Sequence, residues 1–270
     1  MNMSVAEIEK HLKTLRLHGM RASLDSRLVQ ANQGASFLEV MACLVQDELD
    51  QRQSRLAETR FKASGLKERP TLTEFDWGFN PKLPRKEIYE LVTGKFIRDG
   101  DDALLIGAPG TGKSHVAKTV AHAAILSGYR VVYREAHRFF EDLFEAMQLK
   151  RRKKTTKLFC ETDLLVIDDL FLRKQAPEQA ADDLLDVILE RYSSRKSTLL
   201  TSNRPLEDWG KLLRDNGACS AILDRLLHRG HLLKFEGKSY RLKEAAVRLS
   251  ENRRRTLDEK EKNVDLPVED

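Results

Sequence analysis

Cysteine is scarce in this sequence. Cys43, Cys160 and Cys219 are scattered over 270 positions. An odd, scattered set gives neither a disulfide framework nor zinc-ligand spacing, so a reducing compartment is expected. Long apolar runs are missing too. None approaches the ~18 residues of a membrane span, so no membrane segment is expected. The N-terminus has Glu7 and Glu9 and no apolar stretch, unlike a secretory signal. These absences point to a cytoplasmic protein. Strong charge of one sign is also lacking. The formal net charge of +5 permits nucleic acid as a partner without requiring it. No internal repeat is evident.

A hydrophobic fraction of 41 % suffices for a real core, and the length suits one or two domains. The charged fraction of 33 % predicts long solvated helix faces, since ~25 % is usual.

The most informative stretch is Gly107-Ala108-Pro109-Gly110-Thr111-Gly112-Lys113-Ser114. It fits G-x-x-x-x-G-K-[ST], the phosphate-binding P-loop. An apolar run, 103–106, precedes it as a strand, and a helix is predicted from Ser114 to Leu126. The glycines let backbone N–H groups turn onto phosphate oxygens, and the helix N-terminus adds partial positive charge. The motif assigns Lys113 to the β- and γ-phosphates and the Ser114 hydroxyl to Mg²⁺. ATP and Mg²⁺ are the expected ligands.

From residue 83 the pattern alternates. Strands are predicted at 103–106, 130–134, 164–168, 197–202 and 231–235. Helices are predicted at 84–98, 113–126, 136–150, 178–193 and 220–228. This spacing implies an α/β fold, a P-loop NTPase parallel sheet with helices on both faces. Residues 1 to about 68 read as helices alone, with Gly19 interrupting the first. Ser36 is placed to N-cap the third, with Glu39 at the capping-box position. That helix carries Phe37, Leu38, Met41, Leu44, Val45 and Leu49 on one side, either to pack within a bundle or to dock a partner. The expected organisation is a small helical N-terminal domain (1–69), an ATPase domain (70–243) and a charged tail (244–270). Phe75, Trp77 and Phe79 precede the P-loop domain, either to wrap an adenine or to clamp the core.

Leu164-Leu165-Val166-Ile167-Asp168-Asp169 reads as a strand buried on both faces and ending in acids. Ligands gather at the carboxyl ends of such strands. Asp168 is the candidate metal residue, acting on Mg²⁺ mainly through water. Asp169 is the candidate base for the attacking water, or else a loop acid. Asn203 ends the next buried strand, where it holds water or the γ-phosphate, or simply shapes the Asn-Arg-Pro turn. Arg225 lies in an apolar helical stretch. A guanidinium there calls for a carboxylate or phosphate, either an aspartate of its own chain or the γ-phosphate of a neighbouring subunit. Arg229 is the second choice. Lys150, Arg151, Arg152, Lys153, Lys154 and Lys157 form a run of one sign, either a solvated segment or a contact for DNA phosphates.

With these residues the chain resembles the IstB-like family. Its members are helper ATPases of insertion-sequence transposition, in the AAA+ class and close to DnaC-type helicase loaders. The resemblance is carried by Leu15-Arg16-Leu17-His18-Gly19-Met20, Glu74-Phe75-Asp76, the P-loop followed by His115, and 164–170. It continues with Glu190-Arg191-Tyr192, Thr201-Ser202-Asn203-Arg204-Pro205, Trp209-Gly210, 221–228 and Ser239-Tyr240-Arg241-Leu242-Lys243. It implies a homo-oligomer on duplex DNA, with ATP between subunits, helping a partner transposase choose and attack its target. It also implies an N-terminal domain for assembly and partner contact, and a helical insert, 136–157, lying against DNA. Asn203 takes the role of first sensor and Arg225 that of the finger. Four departures stand out. Asp169 replaces a frequent Glu, Phe171 replaces a common Gly, the run at 150–154 is unusually rich in Lys and Arg, and the lid is short, with Arg241 the candidate second sensor. The nearest alternative is a replicative helicase loader. A small-molecule kinase with a basic lid and a non-hydrolysing switch are further classes. A second acid after Asp168 and a polar strand end at Asn203 argue against the kinase.

Overall fold

A computed structural model describes residues 3–172, 177–246, 248 and 249. The chain divides into two compact units, Met1–Ser64 and Gly65–Asp270. The division falls ahead of the boundary expected at residue 69. Described helical backbone at 240–246 runs past the boundary expected at 243. Most of the expected tail, 250–270, lies outside the described residues.

The first unit is three helices, α1 (Val5–Thr14), α2 (His18–Asn32) and α3 (Phe37–Ser64). The expected capping box opens α3. Ser36 N donates to the Glu39 carboxylate at 2.8 Å, and Glu39 N donates to Ser36 Oγ at 3.3 Å. Gly19 corrects the sequence reading. It does not interrupt a helix but sits in the first turn of α2, buried. A Cβ there would collide with the α3 backbone, at Asp47 O and at Glu48 Cα. Glycine lets the two helices touch, and the contact has a use. Glu48 Oε2 accepts Gly19 N at 2.6 Å and Met20 N at 3.3 Å. A carboxylate of α3 therefore caps α2, whose own N-cap residue, Leu17, makes no side-chain cap. On α3, Phe37, Leu38, Met41, Val45 and Leu49 are exposed.

The second unit begins with α4 (Arg85–Val92) and α5 (Lys95–Asp99). The apolar spacing predicts one helix over 84–98, but Gly94, at φ 72°, breaks it. Then follow β1 (Asp102–Gly107), α6 (Lys113–Leu126), β2 (Val131–Glu135) and α7 (Ala136–Gln148). Next come α8 (Arg152–Glu161), β3 (Leu164–Leu170), α9 (Ala180–Ser193) and β4 (Ser197–Ser202). Last are α10 (Trp209–Leu213), α11 (Asn216–His228) and β5 (Gly230–Phe235).

The sequence pattern does not predict α8. Lys150 adopts φ 54° and turns the chain after α7, and fully buried Phe159 anchors the new helix to the core. The Phe159 ring lies 4.9 Å from that of Phe139 on α7.

The five strands form one parallel sheet in the order β2-β3-β4-β1-β5. Leu104, Val132, Leu165, Ile167 and Leu200 face a core shared with α7, α9 and α11. Side chains alternate along a strand, so Val166, Asp168, Leu199, Thr201 and Tyr133 face the other side. That side is covered by α6, which packs on β1 to β4. The buried Arg191 of α9 ties the strand starts together. Its guanidinium donates to Phe159 O at 2.6 Å, Thr162 O at 3.0 Å and Ser197 O. The Glu190-Arg191-Tyr192 stretch is thus a structural clamp at its arginine.

Candidate nucleotide site

The P-loop joins β1 to α6. Its glycines are needed at two places in particular. Gly110 has φ 76°, and a Cβ there would strike Ser239 Oγ. Gly112 has φ 103°, and a Cβ there would lie 2.9 Å from the Phe75 ring. Ala108 and Pro109 are exposed at the crest of the loop, and Thr111 closes the turn by donating to Ala108 O at 2.8 Å. Lys113, only 4 % exposed, donates to Gly107 O and Ala108 O, both at 2.8 Å. Burial pushes its ammonium below the ordinary lysine range, and the charges of Asp169 and Asp168 oppose that shift. Lys113 therefore senses both acids, although they lie over fifty positions away in sequence. Ser114 follows in the first turn of α6, half-buried. His115 Nε2 lies 3.5 Å from Thr71 O, with its ring 5.5 Å from that of Phe75.

The strand order explains the convergence. β4 lies between β1, which carries the P-loop, and β3, which carries the acids. All three strands run parallel, so their carboxyl ends share one edge. The end of β3 is irregular. Ile167 pairs with Leu200 and Leu170 with Ser202, so β3 holds one extra residue there. Asp169 adopts φ 56° within this bulge. Consecutive strand residues ordinarily face opposite sides. Both acids nevertheless lie near enough for their charges to act on Lys113.

Asp168 is 2 % exposed. Tyr133 OH donates to its Oδ2 and Thr201 Oγ1 to its Oδ1, each at 2.5 Å. Thr201 Oγ1 also accepts Asp169 N at 2.8 Å. Burial, then the charge of Asp168, pushes the Tyr133 phenol well above its ordinary value. Asp169 is half-buried. Burial and then the Asp168 charge raise its carboxyl above the usual range, against the pull of Lys113 and Arg241. Asp169 also lines a cleft of about 740 Å³ with Glu135, Phe140, Phe144, Phe171 and Leu172. Asn203 follows β4, and its Oδ1 is buried with no hydrogen-bond partner among the described residues. An orphan acceptor of this kind calls for a donor.

The segment after β5 closes on the loop. Tyr240 N donates to Gly110 O at 2.9 Å. Asn80 grips Lys238 through both its side-chain atoms, at 3.0 and 2.9 Å. The aromatic residues before α4 are packed. Phe75 meets Gly112 and His115, Trp77 stacks on Tyr89, and Phe79 meets Tyr240 edge-on.

Other predicted residues lie apart from this cluster or differ from expectation. Arg225 is not enclosed by apolar neighbours. It is half-exposed on α11, 3.1 Å from Asp224. Arg229 lies over the Tyr192 ring at 5.0 Å. Of the basic run, Arg152 is tied to α9 through Asp183 at 2.8 Å and Asp186 at 3.5 Å. Lys157 makes a surface pair with Glu161 at 3.5 Å. Lys150, Arg151, Lys153 and Lys154 are exposed around the start of α8. The sequence reading missed Tyr133 and Thr201. Their only local sign is a hydroxyl on a buried strand position.

Residues 10–247 match the family described as IstB-like ATP binding protein. The chain belongs to this family. Among its relatives is a Pseudomonas aeruginosa protein named for ATP binding in insertion sequence IS21. It is 32 % identical over 88 % of this chain and 89 % of its own length. A Geobacillus stearothermophilus protein named likewise for insertion sequence IS5376 is 34 % identical over 77 % of this chain and 82 % of its own. Solved structures share the fold of this IstB-like chain. AMPPCP-bound DnaA from Aquifex aeolicus superposes with a TM-score of 0.53 at 24 % identity, over 69 % of this chain and 56 % of that one. The expected α/β P-loop architecture is therefore the observed one.

Proposed function

We propose that this IstB-like protein binds and hydrolyses ATP with Mg²⁺, and that it assembles on duplex DNA to help a partner transposase select its target. The observation that carries the ATP half is the meeting of the glycine loop, Lys113, two acids and Asn203 on one sheet edge. The residues suit a triphosphate. Glycines at positive φ turn the loop at 110 and 112, and a buried lysine stands beside it. They also suit Mg²⁺. No cluster of three or more His, Cys, Asp or Glu able to hold a metal occurs among the described residues. Ser114 and Asp168 offer oxygen donors only, which fits an ion that keeps several waters and phosphate oxygens. Bound there, Mg²⁺ would offset the negative charge on the β- and γ-phosphates.

Each side chain then has a task. Lys113 meets the β- and γ-phosphate oxygens. The Asn203 Oδ1 accepts a hydrogen bond from the attacking water. Asp169 orients that water and takes its proton, and its raised pKa makes it a readier proton acceptor than an ordinary aspartate. The water oxygen bonds to the γ-phosphorus as the bond to the β–γ bridging oxygen breaks, leaving ADP and phosphate. Arg225, half-exposed, is the group to reach a neighbouring subunit's γ-phosphate, with ATP bridging the pair.

For DNA, the support is local. Cations normally avoid a helix N-terminus. Here Lys150, Arg151, Lys153 and Lys154 crowd one, as a phosphate-binding surface would require. The transposase partner rests on the insertion-sequence names of the relatives. They span most of this chain and favour this reading over a helicase loader. The three-helix unit is assigned to assembly and partner contact, and the setting to the cytoplasm.

The test is ATP turnover and particle size, each with and without duplex DNA. Turnover should rise and particles enlarge when both ligands are present. Lys113→Ala should lose nucleotide binding, and unchanged affinity in that variant contradicts the site.

A further inference from the structure

Asp168 is nearly sealed from solvent, and each of its carboxylate oxygens already accepts a hydroxyl. Partner chemistry fixes the direction of these bonds. A carboxylate can only accept, so Tyr133 must donate. Thr201 accepts from the Asp169 amide, so its own proton goes to Asp168. Topology explains the reach. Tyr133 pairs with Val166 across the β2–β3 register, and Asp168 stands two residues further on the same face. A tyrosine spans such a diagonal, roughly 7–8 Å. The residues just before it on β2, Val131 and Val132, are buried and apolar. A buried phenol is costly there unless its hydroxyl has work to do.

We propose that Tyr133 is a positioning residue for the magnesium site: with Thr201 it pins the Asp168 carboxylate so that it accepts hydrogen bonds from water on the ion and does not ligate the ion directly. The remaining lone pairs of both oxygens are then held in one plane. Such an arrangement favours a cation that surrenders its water reluctantly, which is Mg²⁺ before Mn²⁺. The inference rests on the ATP reading above.

Tyr133→Phe removes one oxygen and keeps the ring. The probe is a fluorescent ATP analogue, titrated in EDTA and then against Mg²⁺ or Mn²⁺. Affinity in EDTA should stay as in the native chain. The Mg²⁺ concentration that half-saturates the metal-dependent tightening should rise by about tenfold or more, as when other metal sites are stripped of an outer-sphere partner. The Mn²⁺ value should rise less. Should Tyr133→Phe fail to fold, Thr201→Val against Thr201→Ser supplies the same comparison at the other oxygen, with only the serine variant retaining native Mg²⁺ response. A folded Tyr133→Phe protein with native Mg²⁺ and Mn²⁺ responses overturns the inference and leaves ATP binding intact. A native chain that ignores the analogue removes the ATP reading, and this inference with it.

Discussion

Replacing Lys150, Arg151, Lys153 and Lys154 together with glutamine should flatten the salt dependence of duplex binding. The structure selects these four from the six cations of the run. Arg152 is held by Asp183 and Asp186, and Lys157 by Glu161. Every cation that no longer meets a phosphate lowers the slope of log affinity against log salt by about 0.9, so four of them lower it by up to about 3.6. The assay is fluorescence anisotropy of a labelled duplex, with a non-hydrolysable ATP analogue, across a range of KCl. Arg152→Gln is the control. It should leave the slope alone but cost stability, because Asp183 is left without its partner. Its guanidinium is 40 % exposed, so the cost is only on the order of 1 kcal/mol. An unchanged slope in the fourfold variant, or a large drop in Arg152→Gln alone, would refute the reasoning.

Three further outcomes follow from the packing. Phe171→Gly sets strain against burial. Phe171 sits at φ 65°, where glycine saves about 1–2 kcal/mol, yet its ring is 5 % exposed and 5.2 Å from Trp209. Losing a buried phenyl costs about 3–5 kcal/mol, so the variant should be less stable by about 1–4 kcal/mol in urea, and equal stability would sink the argument. Burial raises Asp102 to about 6 from 3.8, beside the Thr198 amide that donates to it at 2.6 Å. A raised acid stabilises the fold fully below its unfolded pKa, and this contribution, about 3 kcal/mol, is lost as pH climbs from about 4 to about 6. Asp102→Asn should remove that part of the pH slope in urea midpoints, and parallel curves for the two proteins would exclude it. Gly19→Ala should lower the thermal midpoint through overpacking of about 1–3 kcal/mol, because its methyl meets the Asp47–Glu48 backbone. A neutral effect would mean that α2 and α3 do not touch there.

Some features are short-range and were legible. A P-loop needs glycines at fixed offsets, so eight consecutive residues announced it. A parallel strand covered on both faces reads as an unbroken apolar run, which is why 164–168 fell close to β3, while 197–202 matched β4 with only Leu199 and Leu200 apolar. The Ser36–Glu39 box closes within four residues. Where signals were local but ambiguous, neighbours decided. Gly19 looked like a helix breaker and proved to be a contact point for α3. Gly94, inside an amphipathic pattern, did break its helix. The α8 helix was hidden because its first turn is cationic, against the helix dipole, and the anchor Phe159 lies at its far end.

The sequence alone determined which segments are strands, where the phosphate loop lies and which acids close the neighbouring strand. Each of these follows from steric and burial rules that act over a few residues. Tertiary structure alone decided that β4 enters between β1 and β3. It also decided that a bulge sets Asp169 at the end of β3, that Tyr133 and Thr201 hold Asp168, and that Arg152 belongs to Asp183. The side-chain pairs among these join positions more than thirty residues apart, and only the packing of strands and helices in the folded domain brings them within reach of a hydrogen bond.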